Sequence, residues 1–297
     1  MFEVTSRLPD GSTKGPFRVA MQPQALQDAT VLAGFFSYAA GVAAEVHGRY
    51  GVGGVRVAVE GMDLPLGRGL SSSAAICVLT VRAFNLVHRL QLSIEDEMDL
   101  AYRGEFRAGS QCGRMDQACA YGNRLLLLEF DRDRMNVAPI CPRNSMHLLI
   151  VDLRLAKDTR RILADLRHHF LAGDSPNGES LRLALGRANL ELVGRARAAL
   201  EAGDAQAVGA LMTEAQTRFD QAVAPSCPHE LTAPRLHALL GHADVRQLTW
   251  GGKGVGSQGE GSAQFVCRGP EERARLKTLL ARDLSVHCLP LTITPLR

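Results

Sequence analysis

Three consecutive serines, Ser71 to Ser73, follow Gly67 and Gly69 and run into Ala74, Ala75 and an apolar stretch, within LPLGRGLSSSAAICVLTVRAFNLV from Leu64 to Val87. Glycines allow close backbone approach and positive φ. Serines at the cap and first turn of a helix lie where unpaired N–H groups and the helix dipole favour negative charge. The hydroxyls add donors, or a ligand for Mg²⁺. A plain N-cap needs only one such residue, so the density of small residues here points to an anion cradle. A second set of chemical residues lies in AYRGEFRAGSQCGRMDQACAYG, where Asp116 follows Glu105 by eleven residues. One carboxylate of such a pair can hold a metal while the other accepts a proton; two acids on a solvated helix face are the alternative. The third set is LTWGGKGVGSQGEGSAQFV, with six glycines between Gly251 and Gly261. It reads as a backbone that wraps a ligand, as a mobile flap, or as a plain hairpin tip. It is not a Walker A loop, because Lys253 is followed by Gly rather than Ser or Thr. It is not a dinucleotide fingerprint either, because a strand rather than a helix follows GVGSQG.

The elements that position these residues can be read from periodicity and punctuation. Phe17–Met21 reads as a short strand. Ala25–Tyr50 reads as one long helix with Ala and Gly on its packing face, stopped by Gly51, Gly53 and Gly54. VRVAVEG alternates as a half-buried strand, and a helix from Ser72 to about Leu90 follows. Ser93 with acids behind it marks the next helix start. RLLLLEFD and MHLLIVDL read as strands. Residues from about Lys157 to Gly241 read as helical segments, broken at 173–176, 203–204 and 225–226. VRQLTW and SAQFVCR read as strands around the glycine-rich stretch, followed by a helix over Glu271–Ala281 and a β-like LPLTITP. This order suggests an α+β fold with two lobes sharing a cleft, residues 1–150 and 151–297.

Composition narrows the function classes. A chain of 297 residues that is 46% hydrophobic and 22% charged has material for a sizeable core. The net charge of +3 comes without a Lys/Arg stripe, and only 5% of residues are aromatic, so nucleic-acid binding has no footprint. Seven cysteines, an odd number without a CxxC, argue against a disulfide framework or zinc site and for a reducing compartment, the cytoplasm. The N-terminus carries no apolar h-region, and the longest apolar run, ATVLAGFFSYAAGVAAEV, reads as a buried helix rather than a membrane span.

Together and in this order, the three segments resemble the GHMP small-molecule kinases, and the galactokinase branch most closely. The family's second motif is P-x-x-x-G-L-S/G-S-S-A-A, matched by Pro65, Gly69, Leu70, Ser71, Ser72, Ser73, Ala74 and Ala75. CGRMDQ, residues 112–117, is similar to the galactokinase C-G-x-M-D-Q, and Glu105 occupies the position of that branch's helix Glu. ARAALEAGDAQAVGALMTEAQ is similar to A-L-x-x-G-D-x-x-x-x-G-x-L-M of galactokinases, and residues 251–261 stand where the family has T-G-x-G-x-G-G. The family's first motif, G-R-x-N-x-x-G-E-H-x-D-Y, has no counterpart.

The resemblance implies a ribosomal protein S5 domain 2-like N-lobe, with its N-terminal strand missing, and a ferredoxin-like α+β C-lobe. It implies phosphorylation of a small sugar by ATP, giving the sugar 1-phosphate. Gly67, Arg68, Gly69, Leu70, Ser71, Ser72 and Ser73 would hold the ATP phosphates, Ser73 and Glu105 would place Mg²⁺, and Asp116 would be the catalytic residue. Lys157, at a charged helix start, and Lys253 and Gln258, in the glycine-rich stretch, are further candidates for contact with phosphate or acceptor. Two alternatives follow from the absent first motif and the family's breadth: a truncated homologue that binds nucleotide without turnover, completed by a missing N-terminal segment or split-gene partner, and a kinase for a non-sugar alcohol such as mevalonate.

Overall fold

The computed structural model describes residues 1–61, 70–110, 112–131, 134–155, 157–172 and 176–295. They form two compact units, residues up to 124 apart from Leu70, and residues from 125 on. The sequence reading drew the division at 150/151. The difference is strand pairing: the segment from 125 to 150 contains a hairpin and a strand that is central to the second unit's sheet.

In the first unit, β1 (Phe2–Arg7) turns Phe2, Val4 and Ser6 inward, the period-2 alternation of a strand with one packed face. It pairs antiparallel with β2 (Thr13–Val19). Between the two strands the Asp10 carboxylate accepts from the Ser12 N–H at 2.9 Å and hydroxyl at 2.6 Å. The predicted long helix is instead two, α1 (Pro23–Leu32) and α2 (Ser37–Tyr50), meeting at a 117° bend across a 3-10 turn, Gly34–Phe36. Gly34 takes φ +55 there, and Phe36 stacks on Phe17 of β2 with ring centroids 5.4 Å apart, so the aromatic anchor and the glycine together end the helix that the apolar pattern continues. Strand β3 (Arg56–Val59) pairs parallel with β1, giving the order β2-β1-β3.

Helix α3 (Ser72–His88) and helix α4 (Ile94–Arg107) complete the packing. The latter starts at the capping box foreseen at Ser93, whose hydroxyl accepts from the Asp96 N–H while Asp96 accepts from the Ser93 N–H. Helices α2 and α4 cross so closely that a Cβ on Gly41 would collide with the Gly104 carbonyl, and one on Gly104 with Val42. Phe2 and Phe84 stack at 5.8 Å, both fully buried, and tie β1 to α3.

The second unit opens with the hairpin β4 (Leu126–Asp131) and β5 (Arg134–Pro139), the second of which has no counterpart in the sequence reading. Strand β6 (Met146–Asp152) is followed by the helices α5 (Thr159–Leu171), α6 (Pro176–Leu185), α7 (Arg187–Ala202), α8 (Ala205–Ala222), α9 (Pro228–Leu231), α10 (Pro234–Gly241) and α11 (Ala243–Leu248). Then come β7 (Thr249–Gly254), β8 (Ser262–Cys267), α12 (Pro270–Leu284) and β9 (His287–Ile293). The antiparallel order β7-β8-β6-β9 with helical crossovers is the split βαβ arrangement of ferredoxin-like sheets. One face packs Leu149, Val151 and Phe265 against Leu276 and Leu280 of α12; the other packs Met146 and Val266 against Leu192, Val208 and Leu211 of α7 and α8.

Two expectations change here. VRQLTW is not one strand: α11 runs to Leu248 because Val245 and Leu248, three apart, both enter the core, and Thr249 then donates to the Val245 carbonyl at 2.7 Å. The first glycines of the 251–261 stretch are strand rather than loop, with Gly251 opposite Val266 and Gly252 opposite Phe265. Their cause is helix packing: a Cβ on Gly251 would collide with the Gly209 carbonyl of α8, and one on Gly209 would lie 2.6 Å from Trp250. Among the described residues no single helix is long and apolar enough to cross a membrane, and all seven cysteines are free.

Candidate active site

Helix α3 begins without a side-chain cap. Ser71 sits at its N-cap in the left-handed region, φ 56 and ψ 36, and its carbonyl accepts from the Ala75 N–H at 3.1 Å. Among the described residues no side-chain oxygen accepts from the N–H groups of Ser72, Ser73 and Ala74, which open the helix. A left-handed non-glycine costs about 1–3 kcal/mol, a strain of the kind that collects at ligand sites. The helix cannot back away from this end, because Ala74, Cys77, Val78 and Val81 are buried behind it. Gly67, Arg68 and Gly69 lie outside the described residues; Leu70 is the first described residue after them.

Beside this helix end is a cavity of about 300 Å³ within the first unit. Its walls are mostly apolar, with Val4, Phe35, Tyr38 and Ile76 among them, and Ser72 and Ser73 complete the lining. Ser6 also lines it, and its buried hydroxyl has no hydrogen-bond partner. An apolar, partly aromatic cavity with a few polar groups, next to free helix N–H groups, has the chemistry of a heterocycle site joined to an anion site. Sequence reading missed this cavity. Its walls come from β1, which was not read as a strand, and from the bend between α1 and α2, which the apolar periodicity concealed.

Glu105, in the last turn of α4, is buried at 2% exposure. Gln117 donates Nε2–H to one of its oxygens at 2.8 Å, and the Ser110 hydroxyl approaches the other at 3.3 Å. Both partners are neutral, so the carboxylate's charge has no cationic partner among the described residues, and lone pairs remain for one. That charge reaches α3: burial first, then Glu105, pushes the Cys77 thiol well above its usual range. Cys77 lies one turn beyond Ser73 on α3. Among the described residues no group of three or more His, Cys, Asp or Glu side chains could hold a metal ion, so a Mg²⁺ held by Ser73 and Glu105 would take most of its ligands from phosphates and water.

Asp116, half-buried, opens a 3-10 turn, Asp116–Tyr121. Two tethers fix that turn. Gln117 binds Glu105, and Arg82 of α3 donates Nη2–H to the Ala120 carbonyl at 2.8 Å while pairing with buried Glu97 at 2.7 Å. Burial first, then the Asp116 charge, pushes the Cys119 thiol up. The structure thus collects Ser71, Ser72, Ser73, Glu105 and Asp116 in one compact unit. Lys157, Lys253 and Gln258 belong to the other, where both lysines reach the turn over residues 254–258.

Comparison with known proteins bears on this arrangement directly. Residues 37–123, from the start of α2 through the Asp116 turn, match the family model of the GHMP kinases N terminal domain. That match spans most of the first unit. The chain is 28% identical over 203 residues to the mevalonate kinase of Aeropyrum pernix, a match covering 68% of this chain and 60% of that protein's length. The GHMP kinase fold extends across both units. The L. major mevalonate kinase in complex with R-mevalonate superposes with TM-score 0.70 at 19% identity, covering 90% of this chain and 80% of that one. The Lactococcus lactis galactokinase complexed with galactose gives TM-score 0.70 at 14% identity, covering 99% and 82%. At these identities the structural likeness establishes the fold alone.

Proposed function

We propose that this chain transfers the γ-phosphoryl group of ATP to a hydroxyl of a small sugar. The observation that carries the reading is the uncapped N-terminus of α3, opening beside an apolar, partly aromatic cavity in the unit that also holds Glu105 and Asp116. The cavity, with the Ser6 hydroxyl inside it, takes the adenine. The N–H groups and hydroxyls of Ser71 to Ser73, with Gly67 to Leu70 ahead of them, take the phosphates. Ser73 and Glu105 hold Mg²⁺, which when bound neutralises charge developing on the phosphoryl oxygens. Asp116 orients the acceptor hydroxyl and accepts its proton, and the Gln117–Glu105 and Arg82–Ala120 tethers keep that carboxylate in place. Positioning and electrostatic stabilisation account for most catalysis in reactions of this kind. Seven free thiols suit the reducing cytoplasm.

The CGRMDQ segment favours a sugar acceptor. The second reading, mevalonate, is favoured by the Aeropyrum pernix relative. A panel of neutral sugars, uronic acids and R-mevalonate incubated with Mg·ATP, scored for ADP and phosphorylated product, separates them. Product with a sugar and none with mevalonate supports the proposal. Product with mevalonate alone establishes the second reading. Tight ADP binding with no product from any acceptor establishes a nucleotide-binding homologue without turnover.

A further inference from the structure

The second unit contains two cationic side chains that no carboxylate among the described residues balances. Lys157, between β6 and α5, donates from Nζ to the Gln258 carbonyl at 2.7 Å and to the Val255 carbonyl at 3.3 Å. Lys253, on β7, donates to the Gly254 carbonyl at 2.8 Å. Both are partly buried, and among the described residues neither forms an ion pair. The surrounding acids are engaged elsewhere. Asp158 accepts from the Arg161 N–H at 3.0 Å, and Glu230 accepts from the Asp158 N–H at 3.0 Å. Glu260 accepts from the Arg235 and Leu236 N–H groups at 2.9 and 3.2 Å.

The turn that gathers the lysines is held in place. Gln258 is buried at φ +65, followed by Gly259 at φ +76, where a Cβ would come 3.1 Å from the Glu230 carbonyl and 3.6 Å from the Lys157 side chain. The Gly254 N–H donates to Gln216 on α8 at 2.8 Å. The Ser257 hydroxyl, between Val255 and Gln258 in sequence, is buried with no hydrogen-bond partner among the described residues. Two ammonium groups offer six N–H donors, and the three carbonyl contacts leave three. Like charges brought together away from water repel and lose solvation, an arrangement that a bound anion relieves.

We propose that Lys157 and Lys253 form an oxyanion site in the second unit, one that takes a phosphate or carboxylate group of a small-molecule ligand. Two sources share that chemistry, the nucleotide's phosphates and an anionic acceptor. The site is defined within one unit, so its occupancy is testable without phosphoryl transfer. Burial, followed by the Lys253 charge, lowers the Lys157 pKa to about 8, and burial lowers that of Lys253. An anion would restore the proton, so its affinity falls as pH rises through about 8, even though phosphate itself gains charge over the same range.

The test is calorimetric titration of the full chain with inorganic phosphate at pH 7 and pH 9.5, repeated with saturating ADP and with R-mevalonate or galactose. A site is expected at pH 7 that weakens at least tenfold at pH 9.5. Lys157→Met and Lys253→Met should each weaken it at least tenfold with the circular dichroism of the fold intact. Lys157→Arg, which keeps its charge, should retain binding and flatten the pH dependence. Competition by ADP assigns the site to nucleotide phosphates. Competition by R-mevalonate but not galactose assigns it to an anionic acceptor. Phosphate binding that is absent, or equal in wild type and both Met variants, overturns the proposal and leaves the lysines as ties for the 254–258 turn.

Discussion

At the start of α3, small residues leave three backbone N–H groups uncapped beside a cavity. In β7, small residues let α8 close onto a strand, and their N–H and carbonyl groups sit against β8 and α8. The two stretches look alike as strings of glycine, serine and alanine, yet the side chains are absent for different reasons. In the first, the absence leaves helix N–H groups beside a cavity, the place proposed for a ligand; in the second, it makes room for the protein's own backbone. What distinguishes them physically is whether the polar groups so exposed find a partner inside the chain.

The largest effect that would break this contrast is on chemistry. Asp116→Asn should lower turnover at least 1,000-fold with ADP affinity changed less than about threefold, since a lost catalytic group costs on this scale without touching nucleotide contacts. Steady-state rates with calorimetric ADP binding measure both. Next, Gly251→Val should destabilise the chain by roughly 3 kcal/mol, as an overpacked helix–strand contact does, with ADP affinity per folded molecule unchanged. Urea unfolding measures the first, and loss of nucleotide binding in the folded variant would move the 251–261 stretch into the site. Ser73→Ala should raise the Mg²⁺ concentration for half-maximal activity about tenfold, the scale of one lost ligand; an unaltered Mg²⁺ titration removes Ser73 from the metal.

The smallest effect is a slope. Folded Lys157 has its pKa lowered to about 8 from 10.5, so between those values the unfolded chain holds a proton that the folded chain has released. The Lys157 contribution to stability without a bound anion therefore rises with pH across that window, while the thiols whose pKa values burial raises contribute with the opposite sign. The urea midpoint of wild type minus that of Lys157→Met, followed from pH 7.5 to 10.5, should show the rise.

Local chemistry made part of this legible beforehand. Ser93 and Asp96 announce α4 three residues apart, because a capping box is written in a few neighbouring residues, and the small residues from 71 to 75 mark the start of α3 although no serine side chain caps it. The α+β order followed from the alternation of apolar runs, whereas the ferredoxin-like sheet was implied by the resemblance to the GHMP kinases. What stayed hidden depends on contacts distant in sequence. The 117° bend at Gly34 needs Phe17 to receive Phe36, and the β7 glycines need Gly209 on α8. The division of VRQLTW at Leu248 depends on a core that accepts Val245 and Leu248 together. In the candidate site, Glu105 and Asp116 were visible as acids, but Gln117, which joins their two elements, was visible only as a letter in a motif. The cavity was not visible at all, since its walls are Val4, Ser6, Phe35 and Tyr38, ordinary core residues by type.

The contrast between the two stretches can be read residue by residue from backbone amide chemical shifts of the isotopically labelled chain, with and without Mg·ADP. The account predicts large shifts at Ser72, Ser73 and Ala74 and in the cavity wall at Phe35 and Tyr38, with Gly251 and Gly252 unmoved. Shifts at Gly251 and Gly252 with none at Ser72 to Ala74 would contradict it.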